Sequence, residues 1–122
     1  MKGHVQQRKE AIRQYKERRQ LGGVCRYVHV QSGRFLLFAE PDIVAAQNRF
    51  AFMQKTGSCP HLQLQADWKQ DGPQAFRLEV MEELSCGEGQ TAAAFRADLK
   101  ELLSLWQEKS DPRDSYVKWE KP

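Results

Sequence analysis

Arg8, Lys9, Arg13 and Lys16 belong to a run in which residues 2–19 carry seven Lys/Arg against only Glu10 and Glu17. A net charge of +5 in one segment can attract a phosphate backbone, because neutralised phosphates release their condensed counterions. The same run also suits a solvated helix face. Cys59-Pro60-His61 places two metal-ligand types close together, but a structural zinc wants four ligands. Ordinary loop residues are the expectation there. Cys25, Cys59 and Cys86 are odd in number and widely spaced, which is not a disulfide framework. Cys25 sits in an apolar run, where cysteine acts as a small hydrophobe.

The elements that must position these groups follow from periodicity. Residues 5 to about 20 lack Gly and Pro and read as a surface helix with a thin stripe of Val5, Ile12 and Tyr15, ended by Gly22-Gly23. VCRYVHV, residues 24–30, is rich in β-branched and aromatic residues and reads as a strand. Gly33 supplies the positive φ of a tight turn. FLLFA, residues 35–39, is apolar at every position, which predicts a central strand buried on both faces. Asp42 then caps a helix with Ile43, Ala46, Gln47, Phe50 and Met53 on one face, stopped by Gly57. A short helix over 61–70 carries Leu64 and Trp68 one turn apart.

Residues 75–84 alternate, with Phe76, Leu78 and Val80 on one side and Arg77, Glu79 and Met81 on the other. Glu79 is expected to face solvent. Thr91 caps a last helix to about Lys109, striped by Phe95, Leu99, Leu102, Leu103 and Trp106. The tail RDSYVKWEKP is expected to lie on the body through Tyr116 and Trp119. The order α-ββ-α-α-β-α predicts a small α+β domain with a three-stranded antiparallel sheet flanked by helices.

With 122 residues, 40% apolar and 29% charged, one soluble domain with its own core is the default. The expected division is a basic N-terminal helix over 1–22, the main domain over 23–110 and a tail over 111–122. No stretch is apolar for long enough to span a membrane, and the polar N-terminus lacks a signal-peptide core. The expected compartment is the cytoplasm.

Gly23-Val24-Cys25, then ten residues, then Leu36-Leu37-Phe38, with SGR in the turn, resembles the paired motifs of the GIY-YIG nuclease family. Asn48-Arg49-Phe50, TGSC (56–59), LQADW (64–68), GPQAFRLEVMEEL (72–84) and DLKELLSLWQEK (98–109) continue the resemblance in order. It covers roughly residues 10–109 and is nearest to small stand-alone bacterial members. The resemblance implies an activated water attacking a phosphodiester. A helix arginine would stabilise phosphoryl charge, and a glutamate on the last helix would hold a divalent cation.

Carried over position by position, the reactive groups are missing. Cys25 and Leu36 stand for the two tyrosines and Phe38 for the second motif's glycine. Ala46 stands for the arginine, Phe50 for the helix histidine and Leu103 for the metal glutamate. Arg49 is a possible remnant one turn on, and Tyr27 and Glu101 are the other nearby survivors. The expectation is therefore no catalytic residues, no metal and no cofactor.

Two functional readings follow from different classes. One is a catalytically inactive GIY-YIG-like module with weak, non-specific nucleic-acid affinity through Arg8, Lys9, Arg13, Lys16 and Arg34. The other is a protein-interaction or structural module. A residual metal-dependent endonuclease is the third and least supported. Oligomeric state is not legible.

Overall fold

The computed structural model describes residues 20–119. The basic helix expected over 1–22, including Arg8, Lys9, Arg13 and Lys16, falls almost entirely outside those residues.

Three strands form one antiparallel sheet: β1 (Leu21–His29), β2 (Phe35–Glu40) and β3 (Phe76–Ser85). Their spatial order is β2-β1-β3. FLLFA is thus an edge strand, and VCRYVH supplies the centre. The apolar run signalled coverage of both faces, which is correct, but coverage of faces says nothing about hydrogen-bonded neighbours. The edge is guarded at one end, where Ser115 bridges Phe35 and the Tyr116 N–H donates to the Phe35 carbonyl at 2.8 Å.

A second correction concerns Gly22-Gly23. Expected to end the first helix, they are instead the second and third residues of β1. A Cβ on Gly23 would sit 2.1 Å from the Glu82 carbonyl oxygen, and one on Gly22 would sit 2.6 Å from that of Glu40. Close backbone approach, not chain reversal, requires glycine here. Beside them the β1–β3 register slips between Val24 and Cys25, a bulge that bends the centre of the sheet.

Alternation sorts the side chains into two layers. Cys25, Tyr27 and His29 share a face with Leu36, Phe38 and Glu40 of β2 and with Phe76, Leu78 and Val80 of β3. That face is covered by α1 (Ile43–Thr56) and α2 (Gln65–Asp71), burying Leu36, Phe50, Leu64, Trp68 and Phe76 together. The opposite face carries Val24, Leu37 and Ala39 and is covered by α3 (Ala92–Lys109), which buries Phe95 and Leu99. Leu102, Leu103 and Trp106 of the expected stripe are only partly buried.

The caps hold the helices as their sequences require. Asp42 accepts from the Ala45 N–H, Thr91 accepts from the Ala94 N–H, and Gly57 closes α1 at φ +81°. Gly33 takes φ +75° in the hairpin turn. The short helix begins as a 3-10 turn over Leu62–Leu64, with His61 accepting from the Gln63 N–H. Glu79 is not a bare solvent-facing residue. It sits opposite Arg26 in the register and binds it at 2.7 Å.

Candidate functional site

The hairpin face nearest α1 gathers four chemically capable side chains. Cys25 and Tyr27 come from β1, Glu40 from the end of β2 and Arg49 from α1. The turn Glu40-Pro41-Asp42 reverses the chain tightly enough for α1 to return over Glu40 within nine residues. Arg49 Nη2 then lies 2.8 Å from Glu40 Oε2, and Glu40 Oε1 accepts the Asp42 N–H at 3.2 Å.

Each group is held in its resting form. Cys25 is fully buried, and desolvation, reinforced by the nearby Glu40 carboxylate, pushes its thiol up to about 11. Desolvation also raises the Tyr27 phenol, with the Arg49 guanidinium opposing and Glu40 adding to the rise. The Tyr27 ring is stacked on Phe38 at 4.6 Å and tilted against Phe50 at 5.5 Å. At neutral pH the cluster offers a thiol, a neutral phenol and a guanidinium already paired with a carboxylate. Such groups can hydrogen-bond a ligand at the rim, but none is a free base.

The positions carried over from the family are split between the two faces of the sheet. Leu36 packs with Phe50, Leu64, Trp68 and Phe76, and Ala46 is a buried residue of α1. Leu103 is across the sheet, lining a surface groove with Ala39, Pro41, Arg96, Leu99 and Lys100. Leu36 and Ala39 point to opposite faces of β2, so the sheet itself separates Leu36 from Leu103. Glu101 is exposed on α3.

A second polar cluster lies at the hairpin turn, and sequence reasoning missed it. Buried His29 shares Nδ1 with Ser32 Oγ at 2.6 Å and Nε2 with Asp71 Oδ2 at 2.7 Å. The carboxylate only accepts, so Nε2 carries a proton toward Asp71. This has the composition of a hydrolase relay, but its surroundings make it a strut. The Gly33 N–H donates to the His29 carbonyl and the Arg34 N–H donates to Ser32 Oγ, leaving neither to stabilise an oxyanion.

Next to it, Tyr116 donates a short hydrogen bond to Asp67, and Arg34 lies 3.5 Å from Asp67 and 4.2 Å over the Tyr116 ring. Arg34, expected to contact nucleic acid, is thus half-committed to fastening the tail. Asp71 is the last residue of α2, just before Gly72-Pro73. No periodic signal joins it to His29, which is 42 residues away.

The element order from β1 to α3, and the placement of both motifs on one hairpin, are those the resemblance implies. The fold is α+β, one three-stranded antiparallel sheet flanked by helices. The catalytic domain of the homing endonuclease I-TevI is similar at 18% identity and a TM-score of 0.45, over 68% of this chain and 89% of that one. A mutant form of the catalytic domain of the intron endonuclease I-TevI is similar at 17% identity and a TM-score of 0.44, over 69% of this chain and 86% of that one. No protein-family model and no curated protein sequence matches the chain.

At the carried-over metal position the residue present does not fit a divalent cation. Leu103 offers no donor atom, and the described residues contain no cluster of three or more His, Cys, Asp or Glu able to hold a metal. No helix among the described residues is long and apolar enough to cross a membrane.

Proposed function

We propose that this chain is a GIY-YIG-like domain that does not cleave nucleic acid and acts as a binding module with weak, sequence-indifferent affinity for it. One observation carries the loss of catalysis: Arg49, the surviving helix arginine, is ion-paired at 2.8 Å with a carboxylate whose side chain is 10% exposed. Stabilising developing phosphoryl charge requires a cation aimed at the substrate and not already neutralised. The protonated, buried Cys25 and the apolar Leu36 and Ala46 supply no base and no second cation. Phe38 and Phe50 occupy the space beside Tyr27.

Binding is supported by the net +5 over residues 2–19, with Arg34 at the hairpin turn adding a half-exposed cation. Tyr15 is the one Phe, Tyr or Trp within residues 2–19, so base stacking contributes little. The test measures anisotropy of labelled duplex and single-stranded DNA against salt, alongside metal-supported plasmid nicking. Affinity that falls steeply between ~50 and ~200 mM salt, without nicking, is the expected pair of results. Nicking that is lost in Arg49→Ala would overturn the inactive reading.

A protein-interaction module is the second reading, favoured by large apolar side chains left exposed. Val44 and Phe52 lie eight residues apart on α1 at 60% and 65% exposure, and Leu62 reaches 75%. Absence of any salt-dependent DNA binding would move the assignment to this reading.

A further inference from the structure

The groove on the α3 side of the sheet belongs to neither of these readings. Its volume is about 370 Å³, within the range of small-molecule sites. Arg96, Leu99, Lys100 and Leu103 follow one another at i, i+3, i+4 and i+7, so a single face of α3 forms one wall. Ala39 and Pro41, where β2 runs into the following turn, form the other.

The lining divides by chemistry. Leu99, Leu103, Ala39 and Pro41 make an apolar floor that α3 does not fully close, since Leu103 stays partly exposed. Arg96 and Lys100, both exposed, stand one helical turn apart at its rim. No carboxylate lines the groove, and no ion pair among the described residues engages either cation. Of the acids flanking Pro41 in sequence, Glu40 points to the opposite face and is bound to Arg49, and Asp42 caps α1 through the Ala45 N–H. Two unpaired cations beside an apolar trough are complementary to a small molecule with an anionic head and an apolar body.

We propose that this groove binds a small amphiphilic carboxylate, its chain lying on Leu99, Leu103, Ala39 and Pro41 and its carboxylate meeting Arg96 and Lys100. A nucleic-acid strand fits less well. The lining has no aromatic face for a base and no side-chain acceptor to read a base edge. Arg96 gives the head a planar pair of donors, and Lys100 adds a point charge.

The test titrates the full-length protein with decanoate below its micelle concentration, followed by amide chemical shifts. Saturable shifts confined to residues 39–41 and 96–103 are expected. Decyltrimethylammonium, with the same chain and the opposite charge, should produce none. Arg96→Glu with Lys100→Glu, both exposed changes that leave the core intact, should weaken decanoate at least tenfold. Leu103→Glu should do the same by placing a charge on the floor. Absence of saturable shifts, shifts scattered over the whole chain, or equal binding of the ammonium analogue would overturn the proposal. Loss of DNA affinity in the double variant with no effect of decanoate would overturn it too, and would assign the cations to nucleic acid.

Discussion

Arg49 is 55% exposed at its side chain while its partner Glu40 is 10% exposed, and the two meet at 2.8 Å. The pair is therefore asymmetric in solvation, and the two truncations should not cost the same. Arg49→Ala leaves a largely buried carboxylate with only the Asp42 N–H to satisfy it, a loss of about 1–3 kcal/mol after discounting for the exposed guanidinium. Glu40→Gln keeps the shape and returns Arg49 to water, costing about 1 kcal/mol or less. Urea denaturation of both variants and of the double variant checks the order. Equal costs would mean that the buried carboxylate is not what the arginine serves.

Gly23→Ala should be among the most damaging small substitutions in the chain. The added methyl would sit 2.1 Å from the Glu82 carbonyl oxygen in the middle of the β1–β3 ladder, where backbone, not a flexible side chain, must move. A loss above ~2 kcal/mol is expected, measured as a fall in melting temperature. Gly33→Ala, with open space around it but φ +75°, should cost less, on the order of 1 kcal/mol.

The glycines show where sequence reading stopped. Turn and capping chemistry is local, so Asp42, Gly57, Thr91 and Gly33 announced themselves within a few residues, and the element order followed. Gly22-Gly23 carried the same letters for a different reason, the close approach of the Glu40 carbonyl to Gly22 and of the Glu82 carbonyl, some sixty residues on, to Gly23. Edge and centre were likewise confused for β2, because an apolar run reports covered faces and not hydrogen-bonded neighbours. At the candidate site, the identity of each replaced position was readable, but the Arg49–Glu40 pair was not. Nine residues across a turn have no periodicity, and only the turn's geometry brings them together. The same holds for His29 with Asp71 and for Tyr116 with Asp67.

Cys25 makes stability depend on alkaline pH. Burial lifts its thiol from an ordinary 9.0 to about 11 in the folded protein. Between those values the unfolded chain gives up its proton first, so the native state binds more protons and stability falls as pH rises. The contribution is fully present below about pH 9 and is lost as pH climbs through the folded value. The raised phenols of Tyr27 and Tyr116 act in the same direction at higher pH. Melting temperature followed through this range should decline, and Cys25→Ala should decline less steeply. A disulfide reagent applied to the native protein near pH ~8 should modify the partly exposed Cys59 and Cys86 and spare Cys25. Rapid modification of all three thiols would show that the 25 position opens to solvent.

Rebuilding the family's residues should not rebuild an active site. Cys25→Tyr, Leu36→Tyr and Ala46→Arg all place larger or charged groups at buried positions. Ala46→Arg inserts a guanidinium where the alanine is 2% exposed, with Glu40 already bound to Arg49. Leu103→Glu puts the carboxylate into the groove beside Ala39, with the sheet between it and the position of Leu36. Groups that work as a unit contribute little until all are in register, and here one of them is on the wrong face. The quadruple variant should therefore melt well below the native protein, by several kcal/mol of lost stability on the order of two or three disrupted core positions. It should show no Mg²⁺- or Mn²⁺-supported nicking of plasmid. Leu103→Glu alone should fold, since that side chain is partly exposed, and should bind neither cation in a melting-temperature titration. A saturable metal-dependent rise in that single variant would show that the groove assembles further donors around position 103.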